Sequence, residues 1–533
     1  MRTLLLSNIN MQPVVNFLKP WEVTCGEFNS ILLDLSNPAS PAASDEFGRV
    51  LCLYDSDAMM GDAFYGQGAP DQCESFLAAL DSFCATHTGK VVIANTFCLG
   101  TGRWLSFADL LHPLSLRAAE ARLNERLIAI ARANPNLLLV DTELLFRRHG
   151  EDSLLSDSFW YLGRIRYSNQ MFRSLASMLH RAADAYANRS RKVLVLDLDN
   201  TLWGGIVGEA GPLGIALSED GPGRAYRDFQ RALKAVQRTG VLLAICSKNN
   251  PGDLDEVFER NSMMILRRED FASIRANWAP KPENILDIAE SLNLGVDSFV
   301  FIDDNPVERE LVRTALPAVA VPEFPGRVEN LPAWFLREIV PAWFGKYAIT
   351  AEDQDKTSQY RVNEERLQLS RAVDVDAFLE SLQIECVLHV DPAEQINRIA
   401  QMTQKTNQFN LTTRRYEVPD IRRFLDSPDH AVVLLEYKDR FGSEGAVGLA
   451  ILNYAELRID TFLMSCRVIG RKIEDRILSK IRDLFEARGC PRIVAEFIPT
   501  RKNQQVAEFY DSHGFTLLAE EQDGRRIYER TMA

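Results

Sequence analysis

Short apolar runs alternate with longer amphipathic stretches through the first two thirds of the chain. Runs at 50–53, 91–94 and 137–140 have the length of buried strands, and 116–133 repeats its apolar positions at helical spacing, so residues 1–188 are predicted to form an α/β domain. A second series opens with the apolar run at 193–196, continues through a helix at about 223–239 and reaches strands at 241–245 and 299–302. Strand, helix, strand in that order implies right-handed crossovers and a parallel sheet, whose ligand site lies at the carboxyl ends of the strands. After the Pro- and Trp-punctuated stretch 332–344 and a polar run at 350–361 the pattern becomes mixed. Helices are expected at 377–382 and 392–405, strands at 431–437, 446–452 and 457–464, and a helix at 472–488. The predicted architecture is α/β, with domains at 1–188, 189–345 and 346–533, the last of α+β type.

Composition narrows the function. A net charge of -14 disfavours nonspecific nucleic-acid binding while leaving a local basic patch possible. The start MRTLLLSNIN lacks the apolar core of a signal peptide and no stretch is long enough to span a bilayer, so a cytoplasmic protein without a membrane partner is expected. Nine cysteines without C-x-x-C spacing argue against zinc and disulfides.

Four separated segments each put a chemically apt residue at the end of an apolar strand or just beyond it. The first, ending in Asp197-Leu-Asp199-Asn200-Thr201, carries two carboxylates two residues apart. Asp197 is the candidate nucleophile at phosphorus, and Asp199 the candidate acid and base that protonates the leaving group and then activates water. Ser247, with Asn249 close behind, offers hydrogen bonds to a phosphoryl oxygen, and Asn200 and Thr201 are further candidates for substrate contact. Lys281, between two prolines, can neutralise the nucleophile and the transferring group. Asp303 and Asp304 supply hard oxygen ligands for Mg2+, together with Asp197 and the main-chain carbonyl of Asp199. A lone D-x-D pair is usually a solvated turn; four such segments in order are not.

This pattern resembles the haloacid dehalogenase (HAD) phosphohydrolase superfamily. The continuation Asp199-Asn-Thr-Leu-Trp203-Gly-Gly-Ile-Val-Gly-Glu209 is similar to its FkbH-like branch, the IIIC subgroup, as are Lys405-Thr-Asn407-Gln-Phe-Asn410-Leu-Thr-Thr-Arg414-Arg415, Asp439-Arg-Phe-Gly442 and Ser465-Cys466-Arg467-Val-Ile-Gly470-Arg471. The resemblance covers about residues 190–533. It implies a bifunctional protein that takes a phosphoglyceryl group from 1,3-bisphosphoglycerate, dephosphorylates it and loads it on an acyl carrier protein in polyketide or related biosynthesis. In that reading Cys466 receives the acyl group as a thioester, since flanking Arg467 and Arg471 favour a thiolate; a buried structural cysteine is the other reading.

Arg467 to Lys472, opening a helix after a strand, is similar to the pyrophosphate loop of GNAT acyltransferases, with Lys472 where a small residue is usual, which weighs against free CoA. The late segment at 503–515 also looks GNAT-like: Tyr510 either protonates a leaving thiolate or packs on its helix. Lys405, Asn407, Asn410 and Arg414 read as a loop for a small hydroxylated acid or phosphopantetheine, or as a polar helix end. Residues 1–188 weakly resemble SGNH hydrolase-like domains through Ser7-Asn8-Ile-Asn10 and the stretch from Ser156 to Arg164, but lack a triad at the expected places. The domain is read as noncatalytic, with Trp160 and Arg164 either touching ligand or serving core and surface. Two rivals remain: a small-molecule phosphatase whose C-terminal domain only binds, and a noncatalytic assembly protein.

Overall fold

The computed structural model describes the chain except residues 62–68, 70, 101, 103–106, 351–352, 354–355, 362–381, 441, 466–467, 470, 501–502 and 533. It divides into two compact units, Met1–Tyr186 with Glu417–Arg423, and Ala187–Tyr416 with Phe424–Ala533. No described helix is long and apolar enough to cross a membrane.

The first unit is built on five parallel strands, β1 (Arg2–Leu6), β2 (Glu22–Cys25), β3 (Arg49–Cys52), β4 (Val91–Asn95) and β5 (Leu137–Val140), in the order β2-β1-β3-β4-β5. The helix Leu116–Ala133 forms as its periodicity predicts and is capped by Ser115, whose hydroxyl accepts from the Ala118 amide. Polar loops at the carboxyl end of this sheet border a cavity of ≈ 780 Å³ whose wall includes Asp55, Asp57, Trp160, Arg164 and Arg166.

The second unit contains two sheets. The first has four parallel strands, β6 (Val193–Leu196), β7 (Leu242–Ser247), β8 (Phe271–Ala276) and β9 (Phe299–Ile302), in the order β8-β7-β6-β9. Its strands read as unbroken apolar runs because both faces are covered. Leu194 and Leu196 join one buried cluster, while Val193 and Val195 join another on the opposite face. Strand β8 is the exception to the sequence pattern, since FASIRA mixes polar and apolar residues at the sheet edge. The stretch 332–344 does not merely punctuate: Phe335–Phe344 forms a π-helical segment around Pro341 and buries Phe335, Ile339 and Phe344 in the first cluster. Tyr360 packs into the second, so chain beyond 345 still covers this sheet.

The second sheet is mixed: β10 (Glu385–Val390), β11 (Phe409–Asn410), β12 (His430–Asp439), β13 (Gly442–Asn453), β14 (Arg458–Met464), β15 (Arg492–Phe497), β16 (Thr516–Glu520) and β17 (Arg526–Thr531). Its path is β10-β12-β13-β14-β15-β17-β16, with β11 beside β14. The helix expected at 392–405 starts later, at Ile396, after a single 3-10 turn, and the helix expected at 472–488 spans Glu474–Ala487. The helix expected at 377–382 falls almost wholly outside the described residues.

Candidate active site

The four parallel strands of the second unit converge their carboxyl ends on one cluster of polar side chains. Strand β6 ends at Leu196 and delivers Asp197, β7 ends on Ser247, β9 delivers Asp303 and Asp304, and the helix Lys281–Ser291 after β8 begins with Lys281. Neighbours β7 and β9 lie on either side of β6, so the chain leaves the central strand in two directions and opens a crevice there.

Asp197, Asp303 and Asp304 each place a carboxylate oxygen within 4.8 Å of the others. Lys281, 3% exposed, lies 2.9 Å from Asp197 Oδ1 and also bonds Asp303 Oδ2. Burial disfavours the Lys281 charge, but Asp197 and Asp303 outweigh it and raise its pKa. Burial, reinforced by Asp197 and opposed by Lys281, lifts the Asp303 carboxyl to about 6. Asp304 is also raised, first by burial and then by Asp197. A compact set of hard carboxylate oxygens whose repulsion is only partly offset by one ammonium fits a small divalent cation.

Asp199 is held by a separate set of hydrogen bonds. Its Oδ1 accepts from the Trp203 indole N–H (2.8 Å) and the Val207 amide (3.1 Å), and its Oδ2 from Asn249 Nδ2 (3.0 Å). The same Asn249 amide donates to Ser247 Oγ at 3.1 Å, so it ties the second motif to the first. Asn200 adopts a left-handed conformation (φ 55°), and its side-chain oxygen closes the loop on the Gly205 amide. Buried Thr201 accepts from the Asp304 amide at 3.3 Å, joining the first motif to the fourth.

One residue at this site escaped the sequence reading. Arg309, 7% exposed, donates to the carbonyls of Asp303 (2.9 Å) and Asp304 (2.7 Å) and thereby sets the loop that aims both carboxylates. The available signal was its position in the first turns of the helix Pro306–Ala315, directly after the Asp-Asp pair.

In the C-terminal sheet, β14 and β15 run parallel but pair only at Arg458 and Val494 before diverging. The chain's own segment fills the gap: β11 pairs with the end of β14, Leu411 N–H donates to Phe462 O (3.0 Å), and Ile498 N–H donates to Leu411 O (2.8 Å). Asn410, fully buried, accepts from the Thr413 amide and donates to Thr406 O. Arg414 pairs with Asp460 (2.8 Å) and Glu496 (2.7 Å). Asn407 accepts from Arg415. Arg471 stacks over Tyr437, 4.9 Å from the ring centre, and lies 3.6 Å from Asp439 Oδ2, which joins two segments singled out separately in the sequence. Tyr510 is 1% exposed, packs on Phe515 and Tyr528, and its hydroxyl has no hydrogen-bond partner among the described residues; burial raises its pKa. Cys466, Arg467 and Gly470 lie outside the described residues.

In the first unit Trp160 and Arg164 share the cavity wall, the guanidinium 5.0 Å above the indole. Asp141 caps Glu143 N–H and accepts from Thr96, whereas His149 meets Gln170 and Ser174.

No family model and no curated protein matches the chain. Among solved structures, the N-terminal part of the protein BF1531 from Bacteroides fragilis, containing a phosphatase domain and complexed with Mg, aligns at 27% identity over 65% of this chain and 94% of that one, with a TM-score of 0.60. Region 189–345 alone cannot account for so large a share. The ribosomal-protein-S18-alanine N-acetyltransferase from Escherichia coli (12% identity, 28% of this chain, 96% of that one, TM-score 0.22) and the GNAT domain of S. lividans PAT (16%, 27%, 89%, 0.23) also align, at a likeness too low to carry chemistry. The fold class is therefore as the sequence pattern predicts: α/β, with an HAD-like phosphatase domain on a parallel sheet, preceded in the chain by an α/β domain and followed by a mixed-sheet domain.

Proposed function

We propose that this protein is a bifunctional acyl transferase and phosphatase that takes a phosphoglyceryl group from a mixed acyl phosphate, removes its phosphate ester and loads the glyceryl group on an acyl carrier protein. The observation that carries the phosphatase half is the convergence of Asp197, Asp199, Ser247, Lys281, Asp303 and Asp304 at the carboxyl edge of one parallel sheet. The Asp197 carboxylate attacks phosphorus and forms an aspartyl-phosphate. Asp199, held by Trp203, Val207 and Asn249, gives a proton to the departing alkoxide and then takes one from the hydrolytic water. Lys281 offsets charge on the nucleophile and the transferring group, and Ser247 and Asn249 hold a phosphoryl oxygen. Asp197, Asp303 and Asp304, with the main-chain carbonyl of Asp199, would hold Mg2+, the ion that the Bacteroides fragilis structure contains; bound there it neutralises phosphoryl charge.

The transfer half rests on the resemblance of the C-terminal segments. The Cys466 thiolate attacks the acyl carbon of the mixed anhydride, expelling inorganic phosphate and leaving a thioester. The thiol of a carrier-borne phosphopantetheine then takes the acyl group and returns the cysteine to its thiol state. Free CoA suits this domain poorly, because Lys472 stands where the pyrophosphate loop it resembles has a small residue.

Intact-mass measurement after exposure to Mg2+ and 1,3-bisphosphoglycerate, with and without a carrier protein, tests both halves. A glyceryl adduct is expected that moves to the carrier and that Cys466→Ala abolishes. Hydrolysis of a generic phosphate ester without any adduct would instead leave a plain phosphatase, and Mg2+-dependent turnover that survives Asp197→Asn would rule out Asp197 as the nucleophile and with it the proposed phosphatase chemistry.

A further inference from the structure

Beside the phosphatase sheet, on the edge away from Asp197, lies a second charged cluster of opposite sign. Lys192 precedes β6, five residues before Asp197, so the two are separated by roughly 16 Å at about 3.3 Å per residue of extended chain. Lys192, Lys356, Arg398 and Lys405 line a pocket of ≈ 310 Å³ between this sheet's amino edge and the helix Ile396–Lys405 of the C-terminal domain. Lys346 is not part of the lining but shares Asp353 with Lys356. Among the described residues one carboxylate pairs with these cations: Asp353, 2% exposed, is 2.8 Å from Lys346 Nζ and 3.2 Å from Lys356 Nζ. Lys405 forms no ion pair among the described residues, and Lys192 spends a hydrogen bond on the Lys405 carbonyl (3.1 Å).

Burial together with the neighbouring cations pushes Lys356 down to about 7 and Lys405 well below its ordinary value. Burial would raise Asp353, yet Lys356, Lys405 and Lys346 hold it far below the carboxylate range. Among the described residues, Lys346, Lys356 and Lys405 gather around the Asp353 carboxylate, more buried positive charge than that one group offsets. Ser465 is on the same wall, and Cys466 is the next residue in the chain.

We propose that this pocket is a binding site for a phosphate ester or diester, separate from the site where Asp197 acts. Lys356 and Lys405 hold the anion, and Arg398 and Lys192 border it. The source is either the small phosphorylated acid or the phosphodiester of a carrier-borne pantetheine arm. That choice rests on the function proposed above; the anion site itself rests on the cation cluster alone.

The test titrates full-length Asp197→Asn protein, which cannot turn over an ester, with sodium sulfate at constant ionic strength, read by calorimetry and by thermal midpoint. Saturable binding is expected, stronger at pH 6.5 than at pH 8.5, where sulfate keeps its charge but Lys356 does not. Lys356→Gln and Lys405→Gln, made separately so that one failure to fold is not fatal, should each raise the ligand-free midpoint and weaken sulfate by about tenfold, the worth of one charged hydrogen bond. A sulfate response equal to that of chloride, or unchanged in both variants, overturns the site. Displacement of sulfate by phosphopantetheine alone assigns the carrier arm, displacement by phosphoglycerate alone assigns the small acid, and displacement by neither overturns the phosphate-ester assignment. Sulfate binding that survives while the intact-mass experiment yields no adduct would sink the proposed function and leave the anion site standing.

Discussion

The two edges of one four-stranded sheet bury like charges in opposite ways. At the carboxyl edge, three carboxylates crowd within 4.8 Å, and Lys281 is set among them with ion pairs to two. At the amino edge, Lys346, Lys356 and Lys405 gather around Asp353, the one carboxylate found with them among the described residues, and Lys192 and Arg398 line the same pocket as Lys356 and Lys405. In the acidic cluster, where a counter-ion is built in, burial and Asp197 raise Asp303 only to about 6, against the opposing pull of Lys281. In the basic cluster burial and the neighbouring cations push Lys356 down to about 7 and Lys405 well below its ordinary value. A site that does chemistry on an anion needs charges already in place; a site that only holds an anion can acquire its charge on binding.

The comparison breaks most visibly at Asp199. Asp199→Asn is expected to lower phosphatase turnover by about 10²–10⁴-fold, the worth of a general acid and base, in steady-state kinetics with a phosphate ester of poor leaving group. An unchanged rate would mean that the proton comes from elsewhere. Lys281→Met leaves Asp197 and Asp303 buried without their cation and should cost about 3–5 kcal/mol of stability by denaturant unfolding. Added Mg2+ is expected to recover part of that loss, and a variant as stable as the parent would show the carboxylates already neutral.

Trp203→Phe removes one donor from Asp199 and should reduce turnover by about 10–100-fold, matching the 1.5–3 kcal/mol of a charged hydrogen bond, with KM nearly constant. The smallest effect is the pH slope at the amino edge. Lys356 has a folded pKa of about 7, below its ordinary 10.5, so between these values the unfolded chain binds more protons and stability rises with pH. This one group contributes at most about 1.4 kcal/mol per pH unit in that window, and none below it. Chemical denaturation of Lys356→Gln between pH 7 and 9 should show a flatter dependence than the parent; an identical slope would mean that Lys356 is not depressed.

The two clusters also differ in how far they could be read from residue order. Asp197, Ser247, Lys281 and Asp303 each sit at the end of an apolar run or at the start of the following helix, so chain order already predicts that a parallel sheet will bring them together. Asn249, which bridges Asp199 to Ser247, reads in the sequence only as a substrate contact, since its partner is fifty residues away. Arg309 escapes the sequence because it works through backbone carbonyls, and a carbonyl leaves no trace in residue order. The amino-edge pocket is invisible there except for Lys405: Lys192 and Lys405 are 213 positions apart, and each lysine reads singly as an ordinary surface charge. In the C-terminal domain, Arg414 and Asn410 read as ligand contacts, and the fold engages them with Asp460, Glu496 and their own loop.

Residue order by itself determined the parallel sheet of the second unit and the gathering of carboxylates at one of its edges. These follow from local rules: apolar runs make strands, strands alternating with helices run parallel, and loops at strand ends carry the polar groups. Only the tertiary structure decided that β11 would fill the gap beside β14, that Arg471 would lie over Tyr437 near Asp439, and that Lys192, Lys356, Arg398 and Lys405 from distant segments would line one pocket. Those outcomes depend on how separate layers pack, and packing between residues hundreds of positions apart is governed by shape and charge in space, which no periodicity along the chain encodes.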